Sequence, residues 1–106
     1  MTKKKKILIV EDEASIAMDL QSILEESGYD ADDVAYSYNQ AVNLLASNLP
    51  DLALLDIALK GRENGLDVAR VIKEKYKIPF VFLTSFSDAE TVAQAVDLKP
   101  NGYLVK

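Results

Sequence analysis

The feature that most limits the fold of this chain is the spacing of its short apolar runs. Ile7-Leu8-Ile9-Val10, Leu52-Ala53-Leu54-Leu55 and Phe80-Val81-Phe82-Leu83 are unbroken by any polar side chain. That is the pattern of strands buried on both faces. Tyr103-Leu104-Val105 comes after the turn sequence Pro100-Asn101-Gly102 and reads as a last strand. Asp32 to Tyr36 is a weak, polar-interrupted strand suited to a sheet edge. Helical patterns lie between the runs. Glu13 to Ser27 places Ala17, Leu20 and Leu24 at helical spacing, with Ile16 and Ile23 on one flank and Gly28 as a C-terminal cap. Ser37 and Gln40 form a capping box ahead of Ala41, Leu44 and Leu45. Leu66, Ala69 and Ile72 mark a third helix, and Ser87 with Glu90 a second capping box ahead of Ala89, Val92, Ala93 and Val96. Five strands then alternate with four helices. Strands joined by a dozen or more helical residues run parallel, because an antiparallel neighbour needs only a tight turn. The expected fold class is α/β, a doubly wound five-stranded parallel sheet forming one domain over residues 1–106.

Composition narrows the chemistry. The 106 residues include no cysteine, which excludes a disulfide frame and a thiolate metal site, and no histidine, which removes the usual general base. Carboxylates, hydroxyls and amines must carry any reaction. A net charge of −5 argues against nucleic-acid contact by this chain. No apolar run reaches membrane-spanning length, and Met1 to Lys6 is too short and charged for a signal peptide, so no membrane contact and a cytoplasmic location are expected. The lysines Lys3 to Lys6 read as a solvated lead-in that blunts a strand end, or as an anionic-surface patch.

The runs end in polar side chains. Glu11-Asp12 comes directly after the first, Asp56 after the second, Thr84-Ser85 after the third and Lys106 after the last. In open α/β sheets, ligands bind at the carboxyl edge of the strands. Taken singly, an Asp there is a helix cap, Thr84 a routine strand-end hydroxyl and Lys106 a solvated charge. Taken together, three carboxylates at neighbouring strand ends repel one another, and a hard cation such as Mg²⁺ resolves the repulsion. Thr84 and Lys106 remain as donors for an anion bound opposite the metal. A metal, a carboxylate nucleophile and two oxyanion donors make a phosphoryl-transfer site.

At these residues the chain resembles the receiver domain of two-component response regulators, over essentially its whole length. The stretch from Ile7 to Glu13, the segment Pro50 to Ile57, the pair Gly65-Leu66 and the stretch Gly102 to Lys106 all resemble that family. The resemblance implies a flavodoxin-like strand order 2-1-3-4-5. It implies that Asp56 accepts a phosphoryl group from a phosphohistidine of a sensor histidine kinase or histidine phosphotransfer protein. Asp12 and Asp56 would ligate Mg²⁺ (or Mn²⁺) directly, Glu11 through water, and the backbone carbonyl of Ala58 would add a ligand. Lys106 would pair with one phosphoryl oxygen and Thr84 with another. Tyr103 would be the switch aromatic, swinging inward behind Thr84 and changing the surface from about Asp88 to Val105. Such a domain is a signalling module and not an enzyme, beyond self-phosphorylation and self-dephosphorylation. Lys99-Pro100 is a decoy for the family's Lys-Pro pair, since it precedes the last strand.

Two departures stand out. The family continues into a fifth helix, absent from these residues, so a bare sheet face and self-association are expected. In Ala58-Leu59-Lys60-Gly61, many members carry a proline and this chain has none. Two rival readings are a pseudo-receiver interaction module and a Mg²⁺-dependent Asp-nucleophile phosphatase. The phosphatase would need a second acid where Ala58 stands.

Overall fold

The computed structural model describes residues 4–85 and 89–106. Strands β1 (Ile7–Val10), β2 (Val34–Ala35), β3 (Leu52–Asp56), β4 (Phe80–Thr84) and β5 (Gly102–Val105) alternate with helices α1 (Ala14–Glu26), α2 (Tyr38–Ser47), α3 (Gly65–Val71) and α4 (Ala89–Asp97). All pairings are parallel and the strand order is β2-β1-β3-β4-β5, as the resemblance implied. No helix of the described residues is long and apolar enough to cross a membrane.

Alternation along the strands sorts the core onto two faces. Leu8, Val10, Ala53, Leu55, Phe80 and Phe82 pack against α2, α3 and α4. Ile7, Ile9 and Leu54 pack against Ala17 of α1, with Leu20, Leu24 and Val81 half-buried around them. Beyond Val81 the edge strand β5 is open on both faces: Leu104, on the side of Val81, is 45% exposed, and Val105, on the side of Phe82, is 68% exposed.

Several local expectations hold and others shift. Gly28 ends α1 at φ +95, and the Tyr29 and Gly28 N–H groups donate to the Leu24 and Glu25 carbonyls, a Schellman closure. The edge strand β2 is only two residues long, shorter than the sequence pattern suggested. Ser37 caps α2 by accepting from the Gln40 N–H, but the Gln40 side chain returns to the Tyr36 N–H, so the box is displaced by one residue. The second box, at Ser87, lies outside the described residues. In α4 the expected apolar face of Ala89, Val92, Ala93 and Val96 is mostly exposed; Ala95 is the buried residue, with Val92 and Leu98 half-buried beside it. The reason is that β5 and α4 sit at the sheet edge, where a small residue suffices to fill the contact. Lys6 is not a solvated lead-in. Its N–H donates to the Asp51 carboxylate and its ammonium to Asn48 Oδ1, each at 2.7 Å, while Lys4 and Lys5 are exposed.

The seam between β3 and α3 positions the site. Asn64 caps α3 by accepting from the Leu66 and Asp67 N–H groups, and Asp67 returns a bond to the Asn64 N–H. This box brings the first residue of α3, Gly65, onto the end of β3. A Cβ at Gly65 would lie 2.7 Å from the Asp56 carbonyl carbon, closer than real Cβ contacts allow. Past Val71 the helix widens into a π turn over Ile72–Tyr76, closed by the Lys77 N–H on the Ile72 carbonyl with Lys77 at φ 57.

Gly65→Ala tests this seam by its sign. In an open helix position the change is stabilising, by about 1 kcal/mol. Against the Asp56 backbone it is expected to destabilise by about 1–3 kcal/mol in urea denaturation, with an unchanged m-value. A stabilised variant would refute the close approach.

Candidate functional site

Three strand-end residues deliver the acids. β1 runs out at Val10, so Glu11 and Asp12 are the first residues past its carboxyl end, and Asp56 is the last residue of β3. Because β1 and β3 are neighbours in register, with Val10 opposite Leu55, these ends coincide. One carboxylate oxygen from each of Glu11, Asp12 and Asp56 lies within 4.8 Å of the others. Glu11 and Asp56 are buried and Asp12 half-buried.

Lys106 closes the cluster from the far end of the chain. The Lys106 N–H donates to the Thr84 carbonyl, extending the β4–β5 ladder, and the ammonium reaches back across the sheet edge. It lies 2.8 Å from Asp56 Oδ2 and 3.2 Å from Glu11 Oε2. Lys106 also donates a long hydrogen bond, 3.5 Å, to Glu11 Oε1, whereas Glu11 Oε2 accepts none. Burial works to lower the Lys106 pKa, but the hydrogen bond and charge of Asp56, with Glu11 behind them, outweigh it and hold the ammonium above its ordinary value. For Glu11, burial dominates and lifts the carboxyl from 4.5 to about 7; the Glu13 N–H opposes the rise and the Asp56 charge adds to it.

Beside the cluster a cavity of about 280 Å³ is lined by Asp56, Ala58, Asn64, Thr84, Thr91 and Lys106, among others. Thr84 is 8% exposed and shares this wall. Tyr103 lies one strand over from Phe82, ring centroids 6.4 Å apart, and is 36% exposed. The sequence-derived set therefore meets at one edge: Glu11, Asp12, Asp56 and Lys106 cluster together, with Thr84 and Ala58 on the cavity wall. Tyr103 stands on the outer strand.

The residue types fit a hard divalent cation. The donors are carboxylate oxygens, one buried oxygen of Glu11 has no hydrogen bond, and among the described residues a single ammonium faces the buried acids. Sequence reasoning missed the backbone contribution. The Glu13 N–H donates to Glu11 Oε1 at 3.1 Å, although the Glu13 side chain caps nothing. The Ala58 N–H donates to Asp56 Oδ1 at 3.0 Å. It also missed the Asn64–Asp67 box, whose Asn-x-x-Asp pattern was a readable signal.

Comparison with known proteins agrees with the fold. The family model for the response regulator receiver domain matches residues 7–106. The transcriptional regulatory protein PdtaR of Mycobacterium tuberculosis is 40% identical over 102 residues, covering 96% of this chain and 49% of that protein. The chain thus spans about half the length of the curated relatives it matches. Among solved structures, the receiver domain of a modulated diguanylate cyclase from Desulfovibrio desulfuricans G20 superposes with a TM-score of 0.91 at 36% identity, over 98% of this chain and 82% of that one. The receiver domain of a signal transduction histidine kinase from Syntrophus aciditrophicus gives 0.86 at 30% identity, over 96% and 78%. The fold and the site define a two-component signalling domain. This chain belongs to the response regulator receiver family.

The buried Glu11 predicts a pH dependence. A raised carboxyl pKa means that the folded state holds the proton more tightly than the unfolded one, so stability falls as pH rises from about 4.5 through about 7. Without divalent cation, the chain is expected to lose up to about 3 kcal/mol between pH 5 and 7.5 relative to Glu11→Gln, measured by urea denaturation. Parallel stability curves for the two proteins would contradict a strained Glu11.

Proposed function

We propose that the chain takes a phosphoryl group onto Asp56 from a phosphohistidine of a sensor histidine kinase or histidine phosphotransfer protein. The observation that supports this reading is the contact of Lys106 Nζ with Asp56 Oδ2 at 2.8 Å, with the Glu11 and Asp12 carboxylates within 4.8 Å. An acceptor, a cation and an acidic pair stand together as phosphoryl transfer requires. An Asp56 oxygen attacks phosphorus, the phosphorus–nitrogen bond breaks, and the imidazole leaves with its electron pair and takes up a proton. Glu11, Asp12, Asp56 and the Ala58 carbonyl would hold Mg²⁺ or Mn²⁺, which when bound offsets the charge of the phosphoryl oxygens. Lys106 would keep one of those oxygens and give up part of its hold on Glu11. Thr84 would donate to another, and Tyr103 would follow it inward, altering the surface of α4 and β5. The chain on this reading signals and does not turn over a substrate.

Two other readings divide cleanly. Position 58 is Ala, so an Asp-nucleophile phosphatase lacks its second acid. A pseudo-receiver would leave the complete acid, Thr84 and Lys106 set without use. A second copy of the chain is the partner that the exposed Leu104 and Val105 of β5 would suit.

Incubation with Mg²⁺ and a small phosphodonor should add one phosphoryl mass, lost in Asp56→Asn and with chelator. Absence of the mass gain in the parent chain would favour the pseudo-receiver, and sustained release of phosphate the phosphatase. Sedimentation velocity across a concentration series should show association that Leu104→Lys weakens; a monomer throughout would remove the second copy as a partner.

A further inference from the structure

Each acid of the cluster accepts one backbone N–H. For Glu11 and Asp56 the donors are local, two residues further on, at Glu13 and Ala58. For Asp12 the donor comes from elsewhere in the chain: the Lys60 N–H meets Asp12 Oδ2 at 2.9 Å across 48 positions of sequence. Lys106 pairs with Glu11 and Asp56, so the contact that fixes Asp12 is supplied by the loop between β3 and α3.

That loop is built to hold the amide in place. Ile57 and Leu59 are 4% and 5% exposed and belong to the same core cluster as Leu55 and Leu66. The intervening residues Ala58 and Lys60 are exposed, and their N–H groups are the ones turned to the carboxylates. The far end of the loop is fixed by the Asn64 cap and by the Gly65 N–H on the Ile57 carbonyl. No proline stands between Asp56 and Asn64, so every amide there can donate.

We propose that the backbone amide of Lys60 is a positioning group for the divalent-cation site: it turns Asp12 toward Glu11 and Asp56 and couples cation affinity to the placement of the loop between β3 and α3. The inference rests on the reading of the three acids as a cation site. Asp12 lies past the end of β1 and is only half-buried, so without a donor its carboxylate turns freely into solvent. Held by one oxygen, it still has lone pairs for a cation. Groups that orient a ligand in this way commonly govern affinity as strongly as ligands do. By linkage, a cation that favours the held carboxylate tightens the loop to the same degree.

The test compares two substitutions at one position. Lys60→Pro removes the N–H, while Lys60→Ala keeps it and removes only the side chain. Mn²⁺ binding is measured directly from the electron paramagnetic resonance of the free ion, with no phosphodonor present. Lys60→Ala is expected to bind within about twofold of the parent and Lys60→Pro about tenfold more weakly. In parallel, amide exchange on the parent should show the Lys60 N–H protected, and more so with Mg²⁺. Equal Mn²⁺ affinity of the two variants overturns this inference alone, as does a Lys60 amide that exchanges at the unstructured rate with Mg²⁺ present. Should Lys60→Pro fail to fold, the exchange measurement decides. A parent that takes up no Mn²⁺ overturns the cation reading itself.

Discussion

The bridge from Lys106 to Asp56 and Glu11 is the contact on which this end of the molecule depends. It joins residues 95 and 50 positions apart, and it does so where three carboxylates converge. Burial first, and the neighbouring Asp56 charge after it, lift the Glu11 carboxyl to about 7. Lys106 offsets part of this, yet one ammonium cannot satisfy two buried carboxylates, which is why an oxygen of Glu11 is left without a hydrogen bond. The ladder of parallel strands carries the cost. Four strands in register, with cores on both faces, hold the acid-bearing ends closer than the acids themselves would choose.

The same ladder explains why α3 matters to a site on which it places no acid. Asp56 belongs to β3 and to the site at once, so anything that moves the end of β3 moves its carboxylate. Gly65 lets the start of α3 lie against the Asp56 carbonyl, and the Asn64–Asp67 box fixes that start. A side chain at position 65 would press on the backbone of Asp56, and the strand would have to yield. The glycine is thus required by a neighbour's backbone and not by a left-handed turn.

The central strands and the acid, Thr84 and Lys106 set were legible in the sequence because burial on both faces leaves unbroken apolar runs. Charges gathered at the ends of such runs are costly unless a bound ion or ligand offsets them, so their placement is informative. The edges were less legible. β2 pairs on one side only, through two residues, so its pattern is short and polar. In α4 the choice of Ala95 over Val92 and Val96 as the buried residue depends on how closely the helix approaches an edge, which periodicity does not encode. Lys6 looked like the last of a solvated run, and only the fold brings Asp51 and Asn48 to it. The amide donors were invisible for a deeper reason: every residue except proline carries an N–H, so nothing in the side-chain code distinguishes Glu13, Ala58 and Lys60 as donors.

These donors also bear on how the site changes state. Backbone N–H groups contribute fixed partial positive charge that no titration removes, whereas the Glu11 carboxyl, lifted to about 7, can hold or release a proton. At neutral pH a proton on Glu11, a cation and a phosphoryl group would all answer the same excess of negative charge, in different ways. A proton neutralises one acid and weakens the site for metal; a cation requires that proton to leave. On the proposed reading, a phosphoryl group on Asp56 would add charge and compete with Glu11 for Lys106. On the reading proposed above, a charge change at the cluster would act first on Lys106, and through it on the end of β5, the strand that carries Tyr103.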